Sequence, residues 1–165
     1  MILVGISNSK NRTRDLTTST ITEKYGMPFN QENGEANNFR IFLEIELIPF
    51  IEKKYSVSSF RTLIGHSYGG LFTINTLLNH SDLFSNYLAI DPSLDWDNQK
   101  IVKQTEEVLT KNNFEGKALY MSLSGQLHMQ NSEITIDNVM QDTTDYTAFA
   151  RSNISLSNIL YMVIA

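Results

Sequence analysis

Gly65-His66-Ser67-Tyr68-Gly69-Gly70 constrains this chain more than any other stretch. It separates an apolar, β-prone run, Phe60 to Ile64, from an apolar, helix-like run, Leu71 to Leu78. A serine between two glycines at a strand-to-helix junction makes a very tight turn. A Cβ at either Gly65 or Gly69 is expected to strike the adjoining strand or helix. The same strain lifts the serine hydroxyl clear of the sheet edge. The helix N-terminus behind it turns backbone N–H groups toward an oxygen that becomes negative during attack. The pattern therefore predicts a nucleophile elbow, with Ser67 as nucleophile and the Tyr68 backbone N–H as one oxyanion donor. A purely structural turn serine is the alternative.

The flanking pattern fits that junction, because strands and helices alternate as in a parallel sheet covered on both faces. Ile2 to Ile6 reads as a short buried strand, followed by a polar loop, Ser7 to Thr20. Phe39, Phe42, Leu43, Ile45, Leu47, Ile48 and Ile51 recur near helical period, which predicts a helix over Asn37 to Tyr55. Pro49 should kink it by removing a backbone donor. Further strands are predicted at Arg61 to Gly65, Asn86 to Asp91 and Lys117 to Leu123. Helices are predicted at Tyr68 to Asn79, Asn98 to Lys111 and Ser132 to Arg151, and Ile159 to Ala165 is apolar and β-prone. At 165 residues, 41% hydrophobic and 19% charged, the chain reads as one globular domain with a real core. Its formal charge of −5 argues against a nucleic-acid or anionic-membrane partner. The absence of cysteine excludes disulfides and thiolate metal sites. No signal peptide or membrane-spanning run is legible, so the compartment defaults to the cytoplasm.

From about Ile2 to about Arg151 the chain resembles the esterase D / enterochelin esterase-like family of α/β-hydrolases. The resemblance is carried by Val4-Gly5-Ile6 with Arg12-Thr13-Arg14-Asp15-Leu16-Thr17, and by Phe42-Leu43-Glu44 through Leu47-Ile48-Pro49-Phe50-Ile51. It continues through Leu63 to Phe72 and ends at Ile90-Asp91-Pro92-Ser93-Leu94 with Trp96-Asp97-Asn98. It implies an α/β fold, a three-layer αβα sandwich, of which the chain holds the central part of a mostly parallel sheet. It also implies serine esterase activity on small-molecule carboxylic esters, including siderophore esters and S-acyl glutathione. Family members often carry two tryptophans after Ser-Leu, where this chain has Asp95 and Trp96. They also have earlier strands with a second oxyanion donor and a later loop with the catalytic histidine, so the chain reads as a truncated domain, 1–165.

Acyl transfer by serine needs a base within hydrogen-bond reach. Of the three histidines, His66 adjoins the nucleophile and should point away from it, and His80 closes the helix after the elbow. His128 follows the fourth strand and could substitute as base. Candidates for the acid are Asp91, at the end of the strand after the elbow, and Glu133 and Asp137, expected on a solvated helix. Lys10, Arg12 and Arg14 form a basic cluster on a loop, fit either to attract an acidic ester or simply to be solvated. Trp96 lines the pocket mouth or fills the core below it. Three functions follow: a carboxylic-ester hydrolase forming an acyl-enzyme on Ser67, a catalytically incompetent hydrolase-derived domain, or an acyltransferase. No cofactor or metal motif is present, with neither a Walker sequence nor a Gly-x-Gly-x-x-Gly. A sheet lacking outer strands should be marginal alone or pair with a second copy as a homo-oligomer.

Overall fold

The computed structural model describes residues 1–8, 10–125, 127 and 133–164. A short helix, α1 (Arg12–Leu16), is followed by two-residue strands β1 (Glu23–Lys24) and β2 (Met27–Pro28), paired antiparallel. Their turn residues, Tyr25 and Gly26, have φ of 53° and 71°. Two successive left-handed residues give the turn whose twist matches a hairpin. The polar loop predicted over Ser7 to Thr20 thus contains a helix, and the hairpin lies outside every predicted strand.

A long helical rod comes next, as α2 (Ala36–Phe42), a π-helical segment Leu43–Leu47 and α3 (Ile48–Lys54). Its wide turn closes with the Ile48 N–H on the Leu43 carbonyl, directly before Pro49. Proline removes a donor and crowds the preceding turn, and a π-bulge relieves both without a break. The central sheet is β3 (Thr62–His66), β4 (Asn86–Ile90) and β5 (Ala118–Ser122), all parallel in that order. All three lie within a residue of their predicted bounds. Between them run α4 (Tyr68–Asn79), at its predicted bounds, and α5 (Trp96–Lys111). The chain ends in α6 (Ala148–Ile164).

Helix α4 feeds two apolar clusters. Leu71, Ile74 and Leu78 meet Ala89, Trp96, Ile101 and Leu156, whereas Phe72 and Leu77 meet Leu16, Leu43 and Tyr87. Tyr87 and Ala89 share one face of β4, the face buried under this layer. The opposite face carries Ile64 and Tyr120, which are 54% and 60% exposed.

Four expectations need correction. Residues 2–6 form no strand, and their apolar side chains are exposed. A strand exists only where a neighbour takes up its hydrogen bonds, and none does so among the described residues. Asp97, Asn98 and Gln99 have positive φ, so the regular turns of α5 begin after them rather than at Asn98. The helix expected over Ser132 to Arg151 begins outside the described residues, and from Glu133 on the chain has instead two single 3-10 turns, Val139–Gln141 and Asp145–Thr147, and then α6. The Asp142 carboxylate accepts from the Thr144 and Thr147 hydroxyls across the turn that leads into α6, and those bonds hold its pKa below the usual range. Finally, the β-prone Ile159 to Ile164 is helical. Leu156, Ile159 and Leu160 pack into the first cluster, and that burial overrides local preference.

Candidate active site

Ser67 sits between β3 and α4 with φ 58° and ψ −117°, a conformation costly for a side-chain-bearing residue. Three backbone bonds hold it there. Its N–H donates to the Ile90 carbonyl at 3.0 Å, and its own carbonyl accepts from Leu71 and Ser93 at 3.0 and 3.1 Å. A Cβ on Gly65 would lie 2.0 Å from the Gly69 oxygen and 2.2 Å from its carbonyl carbon. Gly69 itself is surrounded by open space, contrary to expectation. The second indispensable glycine is Gly70, whose added Cβ would meet Pro92 at 2.8 Å. The elbow is closed by Gly65 and Gly70, because the N-terminal turn of α4 packs on the loop after β4.

That loop is pinned in turn. The buried Asn153 of α6 donates to the Pro92 carbonyl at 2.9 Å, and the Ser93 hydroxyl lies 3.2 Å from Ser67 Oγ. Ser67 opens on a cavity of about 440 Å³ whose lining includes Lys24, Tyr25, Tyr68, Ser93 and Asp95. The Tyr68 N–H belongs to the first helical turn, where no helical carbonyl can accept it.

The wall carrying Asp95 is charged. Asp95 Oδ2 accepts from Lys24 Nζ at 2.9 Å and from the Tyr25 hydroxyl. The Asp95 side chain is 2% exposed against 21% for Lys24, so Lys24 is the more open partner of the pair. Burial and the Asp95 charge push the Tyr25 phenol far above its usual pKa, so it remains a donor. Lys24 Nζ also lies 4.9, 5.7 and 5.5 Å from the ring centres of Tyr25, Tyr68 and Trp96. Aromatic faces stabilise a cation withdrawn from water.

The other predicted residues are placed as follows. His66 ends β3 with an exposed side chain. His80 caps the far end of α4, its N–H on the Thr76 carbonyl, about 20 Å from Ser67 at 1.5 Å per residue. Burial lowers its pKa, followed by the nearby Arg40 charge. His128 lies outside the described residues. Asp91 accepts from the Ser124 N–H and so ties the loop after β5 to the end of β4. Glu133 and Asp137 lie in turns, not on the expected helix. Trp96 is core, 1% exposed, with its indole N–H on the Ser19 carbonyl.

The basic cluster divides. Arg14 is drawn to Asp15, Glu32 and Glu35, and Arg12 donates to the His66 carbonyl and lies over the Tyr68 ring. Lys10 lines a separate surface hollow with Ser7, Asn8 and Asn11. Sequence reasoning missed Lys24, Tyr25 and Ser93. The only local signal for the first two is Tyr25-Gly26, a turn pair between short runs. Among the described residues no group of three or more acidic or histidine side chains could hold a metal ion.

Residues 1–153 match the family described as "Putative esterase". The chain is 34% identical over 153 residues to the ferri-bacillibactin esterase BesA of Bacillus subtilis, covering 85% of this chain and 53% of that protein. It is 37% identical over 100 residues to the siderophore enterobactin esterase of Emericella nidulans, covering 59% and 31%. The structure is similar to that of an IroE-like serine hydrolase from Shewanella oneidensis, with a TM-score of 0.76 and 28% identity, covering 93% of this chain and 46% of that one. It also superposes on the siderophore hydrolase EstA of Aspergillus nidulans, with a TM-score of 0.71 and 25% identity over 97% and 57% of the two chains. The chain thus spans about half the length of these relatives, or less. The fold is that of the α/β-hydrolases, a three-layer sandwich about a central parallel sheet. With its elbow at the end of β3 and its match over residues 1–153, the chain belongs to this esterase family.

Proposed function

We propose that this chain acts as a serine hydrolase on carboxylic esters, with Ser67 as nucleophile and the Tyr68 N–H as one oxyanion donor. The observation that carries the reading is the strained backbone of Ser67, held at the mouth of a cavity by three backbone hydrogen bonds. Strain maintained this firmly belongs to a group that must be presented, not to a turn that any conformation would serve. Ser67 Oγ attacks the ester carbonyl as its proton passes to a base. The Tyr68 N–H takes the charge that develops on the carbonyl oxygen. Collapse expels the alcohol, which takes up the proton from that base, and leaves an acyl ester on Ser67, which water cleaves to the acid and free serine. The relatives are esterases of ferri-bacillibactin and enterobactin, which supports a siderophore-type ester as the substrate class.

A fluorophosphonate probe tests this reading: the folded protein is expected to be labelled, and Ser67→Ala to lose the label. Folded protein that takes no label refutes it. One observation favours a second reading, a binding domain without turnover. Among the described residues the hydrogen-bond partner of Ser67 Oγ is another hydroxyl, that of Ser93, rather than an imidazole. Phosphonate labelling without turnover of a short aryl ester would select that reading. We also read residues 1–165 as a single domain, since Tyr68, Phe114 and Leu119 pack against both apolar clusters. The exposed face with Ile64 and Tyr120 supports pairing with a second copy, which a monomer in sedimentation would exclude.

A further inference from the structure

The cavity before Ser67 has an aromatic lining, with Tyr25, Tyr68, Tyr146 and Phe149 contributing rings. Tyr68 is fixed by the elbow and by Trp96, whose ring meets it edge-on at 5.3 Å. Tyr25 is different. It stands at the tip of a hairpin with two residues per strand, paired to no other strand among the described residues. Such a hairpin has little stability of its own. Its tip is fastened by the Lys24 ammonium and the Tyr25 hydroxyl, both donating to one oxygen of the buried Asp95. Farther along, Phe29 meets Trp96 edge-on at 5.4 Å. The other Asp95 oxygen is buried with no hydrogen-bond partner among the described residues, so the carboxylate depends on the hairpin as much as the hairpin depends on it.

We propose that the Lys24-Tyr25 hairpin tip is the specificity-determining wall of the Ser67 cavity, that Asp95 positions it, and that it selects esters presenting a planar aromatic group to Ser67. This rests on the esterase reading above. A flat ring entering the cavity meets Tyr25 and Tyr68 in the offset or edge-on contacts that aromatic groups prefer. An alkyl chain fills the same space without that gain. Asp95 and Lys24 are positioning residues: they act on the substrate through the place they give to Tyr25. Removing Lys24 leaves the carboxylate one donor short, and replacing Asp95 by asparagine removes the charge that holds the ammonium.

Boronic acids, which add reversibly to a reactive serine, test the proposal on the full chain. Trp96 is the only tryptophan and touches Tyr68, so its fluorescence reports both binding and hairpin opening. Wild type is expected to bind phenylboronic acid about tenfold more tightly than n-butylboronic acid. In Asp95→Asn and Lys24→Met the preference should fall to less than about threefold, through weaker phenyl binding. Acrylamide quenching of Trp96 should rise several-fold in both. Tyr25→Leu, an exposed tip substitution that leaves Lys24 on Asp95, should lose the phenyl preference with less change in quenching. A phenyl preference that survives both Asp95→Asn and Tyr25→Leu overturns the proposal and leaves the esterase reading intact. Wild-type protein that binds neither boronic acid overturns both.

Discussion

Ser67 and Lys24 face the same cavity, yet the walls that carry them are held in different ways. The elbow wall is backbone on backbone. Ser67 is tied to Ile90, Leu71 and Ser93 through main-chain groups, and Gly65 and Gly70 admit the chain where no side chain fits. The hairpin wall is side chain on side chain, with Lys24 and Tyr25 converging on Asp95. Backbone closure of this kind leaves no room for adjustment, which suits a group that must meet a reacting carbon within a fraction of an ångström. Side-chain fastening can be retuned by single substitutions without disturbing the sheet, which suits a surface that chooses among substrates. Precision and adaptability are divided between two sides of one cavity.

The largest expected effect lies on the elbow side. Gly65→Ala should cost at least about 3 kcal/mol, because the new methyl meets backbone that cannot move away. Gly69→Ala should stay within about 1 kcal/mol of wild type, since a helical position in open space gains from alanine. Urea midpoints of the two variants decide the matter, and equal losses would refute the account of the elbow. On the hairpin side, Lys24→Met should lower hydrogen-exchange protection of the Phe29 N–H, bonded to the Thr22 carbonyl, by about 2 kcal/mol, while leaving that of the Ser67 N–H unchanged. Parallel loss at both amides would mean that the walls are one cooperative unit.

A smaller effect tests the strain itself. Ser67→Gly should raise stability by about 1 kcal/mol while abolishing phosphonate labelling, because glycine adopts positive φ freely. A destabilised variant would show that the elbow is unstrained.

The smallest effect comes with alkali. Burial pushes the Tyr87 hydroxyl, which donates to the Ser81 carbonyl, up to about 12. The unfolded chain loses this proton near pH 10. Its stabilisation is therefore full below pH 10 and drains away as pH rises toward 12. Burial and the Asp95 charge raise Tyr25 as well, so its contribution begins to drain from the same pH. Denaturation midpoints measured between pH 9 and pH 12 for wild type and Tyr87→Phe check this, and the variant should show the shallower decline.

Much of the frame was legible because its causes are local. Leu63-Ile64 before Gly65 and Leu71-Phe72 after Gly70 announce a strand, a corner and a helix within a dozen residues. The three strands and α4 follow from periodicity and turn residues. The reading failed where the cause lay elsewhere in the chain. Ile2 to Ile6 has strand-like composition and, among the described residues, no neighbour to pair with. Ile159 to Ile164 has β-prone composition and an apolar cluster that accepts a helix. Gly69 looked indispensable by its place in the pentapeptide, but the crowding falls on Gly70, against Pro92.

Sequence alone thus determined the corner at Ser67, since a glycine-flanked serine between apolar runs of different period admits few conformations. Tertiary structure decided what stands across from it. Tyr25 and Asp95 are 70 residues apart, and neither carries a local sign of the other. A hydrogen bond between side chains depends on where two segments come to rest, and that is set by the packing of Trp96, Phe29 and Tyr68 beneath them.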